Sequence, residues 1–233
     1  MLRFRELEFS SLYAGIGVQL VDEYASVPAV NLETGAMLPF DVELDVDDGG
    51  SNWRALDMTT VTVRRTSGGL LWFPWLEYYR DARGLSPRNY RVRVHGDAYV
   101  PRYAWDSAGV EQLVHPYDDS NPPAVVPPGP IKVRLLPSQT YPFADNVPVL
   151  AGVVVEAGNP VREALVSWSD GSAVQVDSVL SDPDGEFRLP LRRAPIGNTP
   201  FLVEAVTPFG GPSGFITIRI PQDLLTFQTL TIS

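Results

Sequence analysis

The chain has 233 residues, 44% hydrophobic and 20% charged, with a formal net charge of −10 and a pI near 4.6. That length can bury one large core or two small ones, and the ordinary composition excludes global disorder. The acidic balance excludes a nucleic-acid partner gripped through its phosphates. The absence of cysteine excludes disulfides, thiolate metal sites and thiol nucleophiles.

Residues 1–17 place Leu2, Phe4, Leu7 and Phe9 between charged residues. The pattern predicts an N-terminal arm or edge strand that docks on its own sheet or reaches a neighbouring subunit by strand addition. The acids and arginines in this stretch do not read as a signal peptide, and no run of about 18 apolar residues is present to span a membrane. The expectation is a chain made in the cytoplasm, without membrane insertion.

Residues 18–22 read as a first strand. In 40–46, Phe40, Val42, Leu44 and Val46 share one face and Asp41, Glu43 and Asp45 the other, which predicts a strand buried on one side. Residues 59–65 are β-branched and predict a further strand with Val61 and Val63 inward. The turn at Thr66-Ser67-Gly68-Gly69 leads into 70–76. Tyr90, Val92 and Val94 then alternate with Arg91, Arg93 and His95, and 110–114 read as one more short strand.

Prolines at 116, 122, 123, 127, 128 and 130 predict a semi-rigid segment over 115–130. Residues 131–135 alternate as a closing strand. The domain reading is a first module over 18–136, a linker over 137–147 and a second module over 148–233, with 115–130 as the rival boundary. In the second module an apolar run at 149–155 precedes a Gly158-Asn159-Pro160 turn. Val161, Ala164, Val166 and Trp168 follow, then a Ser181-Asp182-Pro183-Asp184-Gly185 turn and alternating Phe187, Leu189 and Leu191. Strands at 201–206 and 215–220 and a polar edge strand ending near 232 complete it.

Two stretches repeat. Gly69-x-Leu71-x-Phe73-Pro74 and Gly185-x-Phe187-x-Leu189-Pro190 share one pattern, and Tyr90-x-Val92-x-Val94 and Phe201-x-Val203-x-Ala205 follow them in turn. The fold class predicted is all-β: two tandem antiparallel β-sandwich modules joined by a Pro-rich linker.

The second module resembles the carboxypeptidase regulatory-like (transthyretin-like) family. The residues that carry the resemblance are Gly152-x-Val154, Gly158-x-Pro160-Val161-x-x-Ala164-x-Val166 and Ser181-Asp182-x-Asp184-Gly185-x-Phe187. The first module looks like a diverged copy, with Thr34-Gly35 and Thr66-Ser67-Gly68-Gly69 at the two turns. The resemblance implies a seven- or eight-stranded sandwich used as an accessory, stalk or surface module, with no catalytic residue to carry over.

The residues themselves offer little chemistry. His95 and His115 lack metal-ligand spacing, and no Gly-x-Ser-x-Gly elbow is present. Asp45-x-Asp47-Asp48-Gly49-Gly50 is read as a turn over a calcium loop, because Gly49 and Leu56 stand where an EF-hand needs ligands. Arg88, Arg91, Arg93 and Arg102 are read as a solvated face. The aromatic group Trp72, Phe73, Trp75, Tyr78 and Tyr79 fits core packing, a protein interface or a carbohydrate platform.

These readings predict a non-catalytic structural or interaction protein without cofactor or metal, whose partners are other protein subunits. A phage tail or baseplate, or a contractile injection particle, is the expected assembly. A carbohydrate- or cell-surface-binding module and a hydrolase on a transthyretin-like fold are the alternatives. The candidate interface residues are Leu2, Phe4, Leu7, Phe9, Trp72, Trp75, Tyr78 and Tyr79.

Overall fold

The computed structural model describes residues 15–25, 27–28, 40–66, 70–74, 76, 87–103, 109–114, 130–169, 175–195, 197–207 and 211–233. Among them the regular structure is β-strand apart from a few residues of 3-10 helix, so the chain is all-β. By contacts it divides into two compact units, Met1–His95 with Pro101–Arg134, and Gly96–Val100 with Leu135–Ser233.

The first unit begins with β1 (Ile16–Asp22), β2 (Val27–Pro28), β3 (Asp41–Asp47), β4 (Trp53–Ala55), β5 (Arg64–Arg65) and β6 (Leu70–Phe73). It continues with β7 (Arg88–His95), β8 (Tyr99–Arg102), β9 (Val110–Val114) and β10 (Ile131–Pro137), the division falling within β8 and β10. One sheet runs β5-β6-β1-β10-β8 with β2 added on β1; the other runs β4-β3-β7-β9. Alternation in β7 gives the expected result, with Tyr90, Val92 and Val94 buried.

Two expectations fail here. The 59–65 stretch is strand only at β5, because Asp57 diverts the chain: its carboxylate accepts from the Thr59 N–H at 2.9 Å and the Thr59 hydroxyl at 2.7 Å. Such local side-chain bonds compete with a sheet ladder. Asp45, read as lying on a solvated face, is 1% exposed, while Val42 is half-buried.

The second unit contains β11 (Val149–Glu156), β12 (Asn159–Pro160), β13 (Leu165–Ser169), β14 (Gln175–Leu180) and β15 (Glu186–Pro190). Then come β16 (Gly197–Val206), β17 (Ser213–Ile220), a short 3-10 turn (Gln222–Leu225) and β18 (Gln228–Ile232). One sheet runs β12-β11-β15 with β18 also on β11; the other runs β14-β13-β16-β17. Leu150, Val154, Val166, Trp168, Phe187 and Val203 are among the side chains that fill the core. The β11–β18 pair is parallel, the exception to the antiparallel pairing expected of this module.

The repeat read from the sequence has a structural counterpart. In each unit the first long strand pairs with the strand of the repeated Gly-turn motif, β1 with β6 and β11 with β15. The second sheets follow the same scheme, β4-β3-β7-β9 and β14-β13-β16-β17. Leu71 and Phe73 in one copy and Phe187 and Leu189 in the other are all buried.

Close backbone approach explains Gly152. A Cβ there would lie 2.6 Å from the Gln228 carbonyl oxygen and 2.7 Å from Phe187 Cζ. Only glycine admits β18 and the Phe187 ring on either side of this strand. The stretch 137–147, read as a linker, lies within the second unit, where the Ser138 hydroxyl donates to the Asp97 carbonyl at 2.6 Å and Tyr141 meets Tyr99 edge-on at 5.2 Å. The rival segment lies outside the described residues except for Pro130.

Candidate interaction surface

Three places gather functional side chains: the charged face of β3 and β7, the Trp72 edge of the first unit, and the outer face of β16 and β17.

On the first face, Asp45 sits opposite Arg91 in the β3–β7 ladder. Arg91 donates to Asp45 Oδ2 through Nε at 2.9 Å and Nη2 at 2.7 Å, and Arg93 donates through Nε at 3.0 Å and Nη2 to Oδ1 at 2.9 Å. Burial pushes the Asp45 carboxyl up, and the hydrogen bonds and charges of Arg93 and Arg91 outweigh it and hold it below the ordinary carboxylate range. Arg93 also reaches Glu43 at 2.6 Å, and Arg91 lies 4.5 Å over the Trp53 ring.

The basic residues read as a solvated face are thus largely committed to local acids. Arg88 lies 3.9 Å from Asp48, and Arg102 lies 3.4 Å from Glu23. In the Asp45–Gly50 stretch, Asp47 accepts from the Gly49 N–H at 2.8 Å and Asp48 from Arg54 Nε at 2.6 Å. Among the described residues no group of three metal-ligating side chains gathers. The chemistry of this face is mutual neutralisation, which fixes the β3–β7 register.

Trp72 lies in β6 opposite Gly17 and is half-buried. Its ring fills the space that side chains at Gly15 and Gly17 would occupy, with a Cβ on Gly15 only 2.6 Å from Cζ2. One face of the Trp72 ring is thus packed on its own sheet. Leu71 and Phe73, on the opposite face of β6, are fully buried. Leu2, Phe4, Leu7, Phe9, Trp75, Tyr78 and Tyr79 lie outside the described residues, as does His115.

The third face was not singled out by the sequence. Phe201, Val203 and Ala205 turn into the core, so Leu202 and Glu204 turn outward. On β17, Ile218 and Ile220 are buried, so Phe215, Thr217 and Arg219 turn outward. Glu204 stands opposite Phe215 and Leu202 opposite Thr217. Phe215 is 70% exposed and Leu202 53%. The diagonal pair forms an apolar patch across β16 and the edge strand β17. Leu225 and Phe227, around the 3-10 turn, are exposed at 86% and 57%.

No protein-family model and no curated protein matches the sequence. Among solved structures, the Bacillus anthracis TIE protein is similar over 94% of this chain and 32% of its own, at 10% identity and a TM-score of 0.26. A streptococcal ancillary pilin is similar over 94% of this chain and 62% of its own, at 12% identity and a TM-score of 0.27. The chain therefore spans about a third of the first structure and under two thirds of the second.

A signal for the third face does exist in the sequence. In Phe215-Ile216-Thr217-Ile218-Arg219-Ile220 the three isoleucines claim one face, which forces Phe215 onto the other with Thr217 and Arg219. An aromatic on the polar parity of a strand marks a surface kept apolar.

Proposed function

We propose that this chain is a non-catalytic structural and interaction protein held in an assembly of protein subunits. The observation that supports the reading most is the outward Phe215–Leu202 patch across β16 and the edge strand β17. Large apolar side chains gain free energy when a partner covers them, and an open strand edge supplies backbone groups for that partner. The charged groups of the β3–β7 face support the same reading from the other side, since Arg91, Arg93, Glu43 and Asp45 satisfy one another. A phage tail or baseplate, or a contractile injection particle, is the setting we propose. It draws on the resemblance of residues 148–233 to a stalk or surface module.

Light scattering after size exclusion of a native extract tests the reading. The expected outcome is a particle far heavier than the 25.6 kDa chain. A native species of chain mass would contradict it.

A further inference from the structure

We propose that the outer face of β6, β1 and β10 binds an acidic polysaccharide, a chain of sugar rings that carry carboxylates. Trp72 stacks on a ring, and Lys132 and Arg134 take the carboxylates. This goes beyond the assembly reading and stands without it.

The stacking surface comes from two glycines. Leu71 and Phe73 turn into the core, so Trp72 turns outward between them, opposite Gly17. A Cβ on Gly15 would lie 2.6 Å from Trp72 Cζ2, and one on Gly17 would lie 3.2 Å from Cε3. These two atoms stand across the six-membered ring from each other, so the ring lies along β1. The residue is half-buried, which leaves part of the ring to solvent. A broad apolar ring already fixed by its own sheet suits the C–H face of a sugar, because little freedom is lost on binding.

The cations come from β10. Val133 and Leu135 are buried, so Lys132 and Arg134 turn to the outer face, where both are exposed. Gly17 fixes their place, since a Cβ on it would lie 3.5 Å from the Cα of Pro130, two residues before Lys132. Two strand spacings and a two-residue step thus separate Trp72 from Lys132, about 12 Å between Cα atoms. Arg134 follows one such step further on. That span calls for several linked sugars rather than one.

Charge selects an anion. Arg134 lies 3.6 Å from Glu23, and Arg102 lies 3.4 Å from the same carboxylate. Lys132 forms no ion pair among the described residues. Asp22, next to Glu23, is buried and turns inward. Three cations against one carboxylate leave a local surplus of two positive charges on a chain of net charge −10. Charges further off than about 8 Å are largely screened at physiological salt, so an arriving anion meets the local surplus. The forked Arg134 guanidinium matches a carboxylate. Arg64, opposite Trp72 on β5, places a basic residue on the other side of the ring as well.

The same face is poor ground for a protein partner. The core of a protein interface is apolar and depleted of lysine. Here Gln19, Lys132 and Arg134 occupy the middle, and the apolar side chains Val21, Leu70 and Trp72 are each half-buried already. A glycan needs only a narrow stacking surface and a few cations.

Calorimetric titration of the full chain tests the proposal with three probes: an oligogalacturonate, a neutral oligosaccharide of the same length, and polyglutamate of the same charge. The oligogalacturonate should bind, and the other two should bind about tenfold more weakly or less. Lys132→Gln and Arg134→Gln, both at exposed positions, should leave the circular dichroism unchanged. Each should weaken oligogalacturonate binding about tenfold, the worth of one charged hydrogen bond. Trp72→Ala should weaken it by a similar factor.

Lys132 is the only lysine of the chain, which gives a readout that needs no variant. Bound oligogalacturonate should slow its acetylation by an amine-reactive ester severalfold, and the neutral oligosaccharide should not. No binding of oligogalacturonate at millimolar concentration overturns the proposal. So does binding that both glutamine variants leave unchanged, or that leaves Lys132 as reactive as before. Polyglutamate that binds as tightly as oligogalacturonate overturns it in favour of an acidic protein. None of these results touches the native-extract mass on which the assembly reading stands.

Discussion

Trp168 and Asp177 stand directly opposite each other in the β13–β14 pair, and the Trp168 indole N–H donates to the Asp177 carboxylate at 3.2 Å. Both residues are buried. Arg192 completes the site, its backbone N–H donating to Asp177 at 3.1 Å and its Nε at 2.6 Å. One carboxylate therefore joins β13, β14 and the turn after β15. Asp177→Ala leaves the buried indole N–H without its acceptor and should destabilise the second unit by about 3 kcal/mol, read by urea unfolding followed through tryptophan fluorescence.

Asp45 gives a pH-dependent prediction. A carboxyl whose folded pKa is depressed stabilises the fold above its unfolded value, about 4, and that stabilisation is lost as pH falls through the lower folded value. Asp45→Asn should therefore cost about 2 kcal/mol near neutral pH. The gap from the wild type should narrow below about pH 4, where the wild type protonates as well. A gap that stays constant or widens on acidification would contradict the role assigned to the Arg91–Asp45–Arg93 cluster.

The same residue shows where sequence reading stops. Alternation correctly placed Leu44 and Val46 inward and Arg91 and Arg93 on the other face of their strand, because a half-buried strand imposes period 2. It assigned Asp45 to solvent because it carries no information about the neighbouring strand. Two arginines 46 and 48 residues away in sequence cover that carboxylate. The strand expected at 59–65 failed for a local reason, the Asp57 turn, that β-propensity does not register. Phe215 was legible by parity against Ile216, Ile218 and Ile220, but its exposure depends on where the sheet ends, which only the pairing of β17 with β16 reveals.

The β11–β12 turn sits one residue earlier than the Gly158-Asn159-Pro160 reading. Glu156 pairs with Asn159, leaving Ala157 and Gly158 as a two-residue loop at φ 48° and 85°. Positive φ at both loop positions suits Asn-Gly, and alanine is strained there. Ala157→Asn should raise stability by about 0.5–1 kcal/mol, visible as a higher midpoint in thermal unfolding.

Gly152 should tolerate no side chain. The Gln228 carbonyl that its Cβ would strike is backbone of β18, and Phe187 is fully packed, so neither yields cheaply. Gly152→Ala is expected to cost about 2–3 kcal/mol and to loosen β18 first. Amide exchange should therefore rise at Leu230 and Ile232 before it rises in β13.

On the proposed reading, the outer edge of β17 is a contact surface in the assembled state. Amide hydrogen exchange at Phe215 and Thr217 tests it most directly, comparing the native assembly with the dilute isolated chain. Rapid exchange is expected at both amides in the isolated chain and strong protection in the assembly, with the already bonded Ile216 and Ile218 amides changing far less. Equal exchange at Phe215 and Thr217 in both states would contradict it.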